Sequence, residues 1–413
     1  MTGDAAAEAD AVARALAGGA AHEARRVIAA RARETPVLSS GTLTERCGGD
    51  VLLKAENLQR TGSFKLRGAL AKLATLDGVG AVVCGSAGNH GQALAYAARA
   101  RGLACEVFMP REAPVAKVAA IQGYGGTVTF GGETVDDCVA AAIARAQETG
   151  AAFVHPFDDP QVIAGQATLG LELLDQVPDL AKVIVPIGVG GLVSGLAGVI
   201  KATRPEVVVV GVQIAACAPF PGALASGEVL TVDPASTIAD GIAVKRPGRL
   251  TLALVERFVD EIVVVGEEET AEAMVLLVER AKLVVEGAGA VGVAALTAGL
   301  SAPAAEGPTV VVLSGGNVDA GLLALLARRH ETAVGRRLRV FTLLADRPGA
   351  LAALLQTIAA AGANLLAVEH IREAVDLQVR QTGIELTLET RGAEHAEGIL
   401  AAMAAAGYPT ERV

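Results

Sequence analysis

Short apolar runs alternate with amphipathic stretches along most of the chain, and this rhythm limits the folds that it can adopt. The run Ala81-Val82-Val83-Cys84 is followed by a helical pattern at 92–101 and by a second apolar run at 106–110. A similar cycle occupies residues 161–313. Such an alternation is typical of parallel sheets covered by helices. The sequence therefore predicts an α/β protein with two doubly wound units.

The pattern changes after a charged cluster at 328–337. Beyond it, strand-like and helix-like stretches follow in the order βαββα, and the tail 408–413 offers a last strand, as in a ferredoxin-like βαββαβ unit. We therefore predict a first domain at 1–330, in which a smaller unit at about 52–155 is inserted in a larger one, and a second domain at 337–413.

Net charge and cysteine content exclude several classes of protein. The formal net charge is -10 with dispersed Lys and Arg, so we expect neither nucleic acid nor a membrane as a partner. The 5 cysteines form no close pair, which favours reduced thiols over disulfides or a zinc site. No apolar run has membrane-spanning length, and the N-terminal stretch is unlike a secretory signal. We expect a cytoplasmic protein.

The segment Gly62-Ser63-Phe64-Lys65 connects a strand to a helix. Leu66 opens an apolar periodicity typical of an amphipathic helix, with Ser63 as the expected N-cap. Lys65 would lie in the first helical turn, where the helix dipole disfavours a cation and lowers the pKa of the amine. A neutral amine suits a Schiff base. From these residues alone, a solvated lysine at a helix start remains open.

The loop Gly188-Val189-Gly190-Gly191 follows an apolar strand and precedes a helix, so its N–H groups favour an anion. A dinucleotide is a poor fit, because Val193 occupies the position of the third glycine and Gln213 that of the acidic ribose ligand. The Lys-Ser/Thr ending of a nucleotide P-loop is also missing. A single phosphate fits better, and tight packing without a ligand remains open.

Three further motifs resemble those of the pyridoxal-phosphate-dependent serine/threonine dehydratases. They are Ser63-Phe64-Lys65 ahead of Arg67-Gly68-Ala69, the loop Ser86-Ala87-Gly88-Asn89-His90, and Ser314 after an apolar strand. The resemblance extends over residues 20–330. It implies a fold-type II enzyme with pyridoxal 5'-phosphate as its cofactor.

The resemblance also implies individual roles. Lys65 and Ser86 would be catalytic, Lys65 at the substrate Cα and Ser86 or the cofactor phosphate at the leaving hydroxyl. A neutral Ser314 at the pyridine nitrogen is compatible with β-elimination. The residues implied for cofactor binding are Phe64, Lys65, Asn89, Gly188, Val189, Gly190, Gly191, Leu192, Gly241, Glu286 and Ser314. Those implied for substrate binding are Ser86, Ala87, Gly88, Asn89 and His90.

The chain departs from the family pattern at a few positions. Val189 replaces a usual glycine, which is tolerable if that residue never needs a left-handed conformation. Gly287 stands where proline is frequent. Some relatives bind a divalent ion just beyond the strand that ends at Val212, whereas this chain has Gln213 and an apolar run there, so we expect no metal site.

The resemblance implies deamination of L-threonine to 2-oxobutanoate and ammonia. Dehydration of L-serine, racemisation of serine and an ammonia-lyase reaction on 3-hydroxyaspartate remain open. A non-catalytic amino-acid sensor would be expected to lack Lys65. The expected partners are a small amino-acid substrate and further copies of the chain, as a homodimer or homotetramer.

The C-terminal part looks like an ACT domain, a small amino-acid-sensing module. The resemblance is carried by Asp346-Arg347-Pro348-Gly349-Ala350-Leu351 after a strand and by Asn364 before the next one. Free N–H groups at the helix start suit a carboxylate. We expect a branched-chain amino-acid effector at Asp346, Gly349, Ala350 and Asn364. A packing or dimerisation domain without a ligand remains the alternative.

Overall fold

The structure is a computed structural model, which describes residues 3–233, 235–372 and 380–413. It contains two compact units, Met1–Asp319 and Ala320–Val413. The second unit begins with a helix, Ala320–Ala333, on which Arg328 and Arg329 are exposed. The charged cluster that predicted a linker therefore starts on a helix, because charged residues also cover exposed helix faces.

The first unit alternates strands and helices, as predicted. Its strands are β1 (Val37–Ser39), β2 (Val51–Ala55), β3 (Ala81–Gly85), β4 (Ala104–Pro110), β5 (Thr127–Gly132), β6 (Ala152–Phe153), β7 (Lys182–Pro186), β8 (Val208–Ile214), β9 (Glu261–Val265) and β10 (Thr309–Leu313). Its helices are α1 (Gly3–Ala17), α2 (Ala20–Ile28), α3 (Gly41–Cys47), α4 (Lys65–Ala74), α5 (Asn89–Arg99), α6 (Val115–Gly123), α7 (Val135–Thr149), α8 (Pro160–Gln176), α9 (Gly191–Thr203), α10 (Pro219–Ser226), α11 (Arg249–Phe258), α12 (Glu267–Leu276) and α13 (Gly287–Thr297).

Two sheets organise this unit, which confirms the predicted α/β class. The larger sheet has the order β1-β2-β10-β7-β8-β9, and all of its pairs are parallel except β1 with β2. The smaller sheet has the parallel order β5-β4-β3-β6. The prediction that the smaller unit starts near residue 52 is wrong for β2, because this strand pairs with β10 in the larger sheet.

The buried strands β7 and β10 lie at the centre of the larger sheet, and every residue of β10 is buried. Helices α8 and α9 pack against each other beside this sheet, and both have long buried stretches. In open α/β sheets, ligands bind outside the carboxyl ends of the strands. Here the loops after β3, β7 and β10 begin with Ser86, Ile187 and Ser314, so the predicted motifs lie at those ends.

The second unit continues from its first helix, α14 (Ala320–Ala333), into a four-stranded antiparallel sheet of order β12-β13-β11-β14. The remaining elements are β11 (Arg337–Ala345), α15 (Ala350–Ala360), β12 (Asn364–Ile371), β13 (Gln381–Glu389), α16 (Ala393–Ala405) and β14 (Thr410–Arg412). Beyond α14 this is the βαββαβ order, and the tail supplies the last strand. The end of the predicted strand 365–373 lies outside the described residues.

A separate core closes the second unit. Val340 on β11 and Leu386 on β13 are fully buried, together with Leu354 on α15 and Ile399 on α16. Alternation along β11 places every second side chain against the helices. Among the described residues of the whole chain, no helix is both long and apolar enough to cross a membrane.

Candidate active site

Lys65 is the first residue of α4, as the sequence predicts, but Ser63 does not cap the helix. The N-cap residue is Phe64, whose N–H donates to the carbonyl oxygen of Ser314 at 3.0 Å. Ser63 instead pairs with Gly315 in an isolated β-bridge, and its buried hydroxyl group has no partner among the described residues. The bridge holds the segment extended until Phe64, so it replaces the expected cap.

The amine of Lys65 donates a hydrogen bond of 3.2 Å to the carbonyl oxygen of Pro156. It lies 5.2 Å from the centre of the Phe64 ring. Desolvation lowers the pKa of Lys65 to about 8, although the charge of Glu286 acts in the opposite direction. The predicted direction of the pKa shift is therefore borne out by the structure, with burial as its main cause.

A cavity of about 610 Å³ opens around the Lys65 amine. The predicted site residues that line it are Lys65, Ser86, Ala87, Gly88, Asn89, His90, Val189, Gly241 and Glu286. The remaining ones, which are not part of this lining, are Phe64, Gly188, Gly190, Gly191, Leu192 and Ser314. The structure therefore gathers the lysine and the whole 86–90 loop in one cavity.

The hydroxyl group of Ser86 organises this loop. Its oxygen accepts the N–H groups of Gly88 and Gly91, both at 3.1 Å, and the Ser86 N–H donates to Phe108. Within the described chain, the N–H groups of Ala87, Asn89 and His90 have no protein acceptor. Three of the five expected backbone donors are therefore available to a carboxylate, and the hydroxyl hydrogen of Ser86 is not used by a described acceptor.

Glu286 is buried at the start of α13. Its Oε1 accepts the side-chain amide of Asn89 at 2.7 Å. Burial raises the pKa of Glu286 to about 7, and the charge of Asp240 adds to this, whereas Asn89 and Lys117 oppose it. The cavity thus holds a carboxyl group and an amine whose pKa values have moved toward each other.

His90 is buried, and its Nε2 lies 3.2 Å from the carbonyl oxygen of Val154. Because a carbonyl oxygen only accepts, Nε2 carries the hydrogen. Burial, more than the nearby Lys65 charge, lowers the pKa of His90 to about 3. The ring is therefore neutral near pH 7 and packs the loop against the segment after β6.

The glycine-rich loop after β7 has the features of a phosphate cradle. In the part of the chain that the structure describes, the N–H groups of residues 188–193 donate to no protein acceptor. Gly190 has φ 95°, whereas Val189 avoids positive φ, so the departure from glycine causes no strain. An added Cβ on Gly190 would lie 2.9 Å from both Phe220 and Thr251. These donors at a helix start fit the phosphate of pyridoxal phosphate.

Sequence reasoning missed several residues that shape the site. Asp158 and Asp159 accept N–H groups at the starts of α11 and α8, and so anchor the segment that carries Pro156. An Asp followed by Pro160 at a helix start is a readable capping signal for α8. Asn317, which bonds to Asn89 at 2.8 Å, had no signal in a local pattern.

The second unit has a separate cavity of about 230 Å³ at the start of α15. Asp346 and Ala350 line it as predicted, together with Leu344, Ala345, Arg347, Pro348, Leu351, His370, Arg372 and Thr382. Gly349 does not line it but is the N-cap residue of α15, with φ 86°. The prediction for Asn364 is wrong: it begins β12, at the opposite end from His370, and donates to Glu389 at 3.0 Å.

Comparisons with known proteins agree with this geometry. The sequence profile of the family described as pyridoxal-phosphate dependent enzyme matches residues 28–315. An L-threonine ammonia-lyase of Thermotoga maritima is 44% identical over 94% of this chain and 96% of its own length. A solved threonine deaminase, from the organism abbreviated T.th., covers 73% of this chain and 98% of its own, with a TM-score of 0.69 and 41% identity. A maize serine racemase covers 76% of this chain and 97% of its own, with a TM-score of 0.71 and 34% identity. The chain therefore belongs to the pyridoxal-phosphate dependent enzymes and, within them, to the L-threonine ammonia-lyase family.

Proposed function

We propose that this protein is an L-threonine ammonia-lyase that uses pyridoxal phosphate to convert L-threonine to 2-oxobutanoate and ammonia. The observation that carries the proposal is the Lys65 amine, which shares a cavity of about 610 Å³ with the 86–90 loop. The identity of 44% to the Thermotoga enzyme supports threonine as the substrate. The cofactor, when bound, draws electrons from the substrate Cα and makes its hydrogen acidic.

Lys65 holds the cofactor through its Nζ and then takes the Cα proton of the substrate on the same atom. Its lowered pKa of about 8 keeps a substantial neutral fraction near that pH, as a general base requires. The carbonyl group of Pro156, at 3.2 Å, gives the amine a fixed hydrogen-bond partner. Phe64 packs beside it, and the N–H groups of residues 188–193 hold the phosphate. Ser314 and Gly241 complete the proposed cofactor site.

Ser86 donates a proton to the hydroxyl group that leaves Cβ. Its oxygen already accepts two N–H groups, so its own hydrogen is directed to a further acceptor. The N–H groups of Ala87, Asn89 and His90 bind the substrate carboxylate. Loss of water from threonine leaves 2-aminocrotonate, which hydrolyses to 2-oxobutanoate and ammonia. The atoms balance, because the water lost in elimination is regained in hydrolysis.

The test is to supply the full-length protein and pyridoxal phosphate with L-threonine, L-serine or 3-hydroxyaspartate and measure the 2-oxo acid formed, with chiral analysis of the remaining serine. We expect 2-oxobutanoate from threonine at the highest kcat/KM. Preferential formation of D-serine would instead identify a racemase, as in the maize relative. Preferential turnover of serine or 3-hydroxyaspartate to its 2-oxo acid would overturn the choice of threonine.

For the second unit we propose an ACT-type regulatory domain that binds a branched-chain amino acid. The βαββαβ order and the cavity at the start of α15 support this assignment. Arg347 and Arg372 suit a carboxylate, Asp346 an amino group, and Leu344 and Leu351 an aliphatic side chain. The Thermotoga relative matches 94% of the chain, and thus most of this unit as well.

Calorimetry of the full-length protein with isoleucine and valine tests the effector site. We expect binding that weakens about tenfold or more in Arg372→Ala, because a charged hydrogen bond is lost. Asn364→Ala is the matched control, since Asn364 does not line the cavity. If neither amino acid binds, or if both variants weaken binding equally, the proposed effector site is wrong.

We also propose that the chain forms a homodimer or homotetramer. The edge strand β12 supports this, because Leu366 and Val368 on it are 53% and 43% exposed. A second copy could cover this edge. Sedimentation equilibrium of the wild type and of a Val368→Lys variant tests the assignment: a monomeric wild type would contradict it, and dissociation of the variant would support the β12 contact.

A further inference from the structure

Four groups form a chain of hydrogen bonds behind the cavity. The side-chain nitrogen of Asn317 donates to the carbonyl oxygen of Thr61 at 2.9 Å and to Oδ1 of Asn89 at 2.8 Å. Nδ2 of Asn89 then donates to Oε1 of Glu286 at 2.7 Å. The chain joins the segment before Lys65, the loop after β10 and the start of α5.

The direction of this chain is fixed at its Thr61 end. A backbone carbonyl oxygen can only accept, so Asn317 must turn its nitrogen toward Thr61. Asn89 must then turn its oxygen toward that nitrogen. As a result the Asn89 nitrogen, with both of its hydrogens, is left on the side of Glu286 and the cavity.

Asn317 acts from outside the cavity, because it does not belong to the cavity lining, whereas Asn89 and Glu286 do. It packs tightly against the turn that precedes Lys65. Gly62 has φ 73° there, and a Cβ on it would lie 2.3 Å from Oδ1 of Asn317. The turn and the amide are therefore fitted to each other.

We propose that Asn317 is a positioning residue of the active site, which orients the Asn89 amide so that its N–H groups face Glu286 and the bound cofactor. This inference rests on the proposed function. Without Asn317 the Asn89 amide can flip, and its oxygen would then oppose an oxygen of Glu286. Two acceptors repel, so Glu286 would have to take up a proton to restore a hydrogen bond.

The charged groups that face Glu286 are Lys65, Asp240 and Lys117. Asp240 forms a close ion pair with Lys117. The backbone of Asn317 also hydrogen-bonds to Glu286, and a substitution of the Asn317 side chain leaves that bond in place. The Asn317 side chain itself reaches Glu286 through Asn89. The effect of a change in that side chain should therefore appear in the titration of the site.

The experiment replaces Asn317 by Asp in the full-length enzyme with bound pyridoxal phosphate. The new carboxylate has nearly the same shape but cannot donate to Thr61 or Asn89. We expect the pH dependence of the cofactor absorbance to shift by about one unit, because a hydrogen bond to an ionised group is lost. We also expect kcat on threonine to fall about tenfold or more, with a smaller change in KM.

Asn57→Asp is the matched control. Asn57 is also a buried asparagine near this segment, and it donates to the carbonyl oxygen of Val284 at 3.0 Å without a described contact to Asn89. It should lower Tm and leave the cofactor titration unchanged. Asn317→Ala, which removes the donor without adding a charge, replaces Asn317→Asp if that variant does not fold.

An Asn317 variant with the wild-type titration and the wild-type kcat would overturn the proposal. So would a shift of equal size in Asn57→Asp, because the effect would then be a general consequence of packing. If the wild type binds the cofactor but does not convert threonine, the proposed function fails, while the absorbance titration still tests the role of Asn317.

Discussion

Lys54 and Lys65 are close in sequence, yet the protein treats their charges in opposite ways. Lys54 is fully buried on β2. Its ammonium group donates three hydrogen bonds of 2.6 to 2.8 Å to Thr35, Glu172 and Gln176. Lys65 has one protein acceptor within the described chain, at 3.2 Å, and opens into the cavity. A lysine with every hydrogen used is structural, whereas one with hydrogens to spare can act on a ligand.

The same contrast separates two buried glutamates. We call Lys54, Glu56, Arg67 and Glu172 the paired cluster, and Lys65 with Glu286 the cavity pair. In the paired cluster Arg67 donates to both carboxylates at 2.6 to 2.9 Å. Burial alone would raise the pKa of Glu56, but Arg67 outweighs it and holds this pKa below its usual value. Glu286 lacks such a cation, and its pKa rises to about 7.

Exchange of the two lysines should break the comparison most clearly. Lys65→Ala is expected to lower kcat/KM for threonine by at least about 10³-fold, because the base and the cofactor attachment are lost together. Its Tm without cofactor should stay near that of the wild type. Lys54→Met should instead lower Tm, and its folded fraction should retain turnover. Normal turnover in Lys65→Ala would show that the two roles are wrongly assigned.

Arg67 tests whether the paired cluster carries stability. Arg67→Met leaves Glu56 and Glu172 buried with less compensation, so we expect a loss of about 3 to 5 kcal/mol in the free energy of unfolding. Urea denaturation measures it. The matched control is Lys201→Met, which removes a surface pair with Asp260 and should cost about 1 kcal/mol or less. Equal losses in the two variants would mean that the cluster is not special.

The two glutamates should give opposite dependences of stability on pH. In the protein without cofactor, folded Glu286 binds more protons than the unfolded chain between pH 4.5 and about 7, so its contribution is lost as pH rises. The loss is on the order of 3 kcal/mol and should vanish in Glu286→Gln. Glu56 has a lowered pKa, so its contribution is lost as pH falls, and Glu56→Gln should remove that acid sensitivity. Equal slopes of stability against pH in both variants and the wild type would contradict these directions.

The sequence was most informative where the chemistry depends on short stretches. The 86–90 loop and the 188–191 loop each bring their donors together locally, and both lie at strand ends in the structure. Lys65 was recognisable because its motif is continuous. The alternation of strands and helices predicted parallel sheets for the same reason, since it depends on local periodicity.

Features that depend on distant pairing could not be predicted in this way. The pairing of β2 with β10 and the contact of Arg67 with Glu172 join parts of the chain that no local pattern connects. Ser63 looked like a cap but formed a bridge with Gly315. Asn364 had a suitable side chain, but its place at the other end of β12 directs it to Glu389.

The central claim is that Lys65, and not the equally well-buried Lys54, holds the cofactor. Borohydride reduction of the full-length protein with pyridoxal phosphate, followed by tryptic digestion and mass spectrometry, measures this directly. The account predicts one modified peptide, residues 61–67, left uncut at Lys65 because the modified lysine resists trypsin. Cofactor attached to Lys54 or to another lysine, with the 61–67 peptide unmodified, would contradict it.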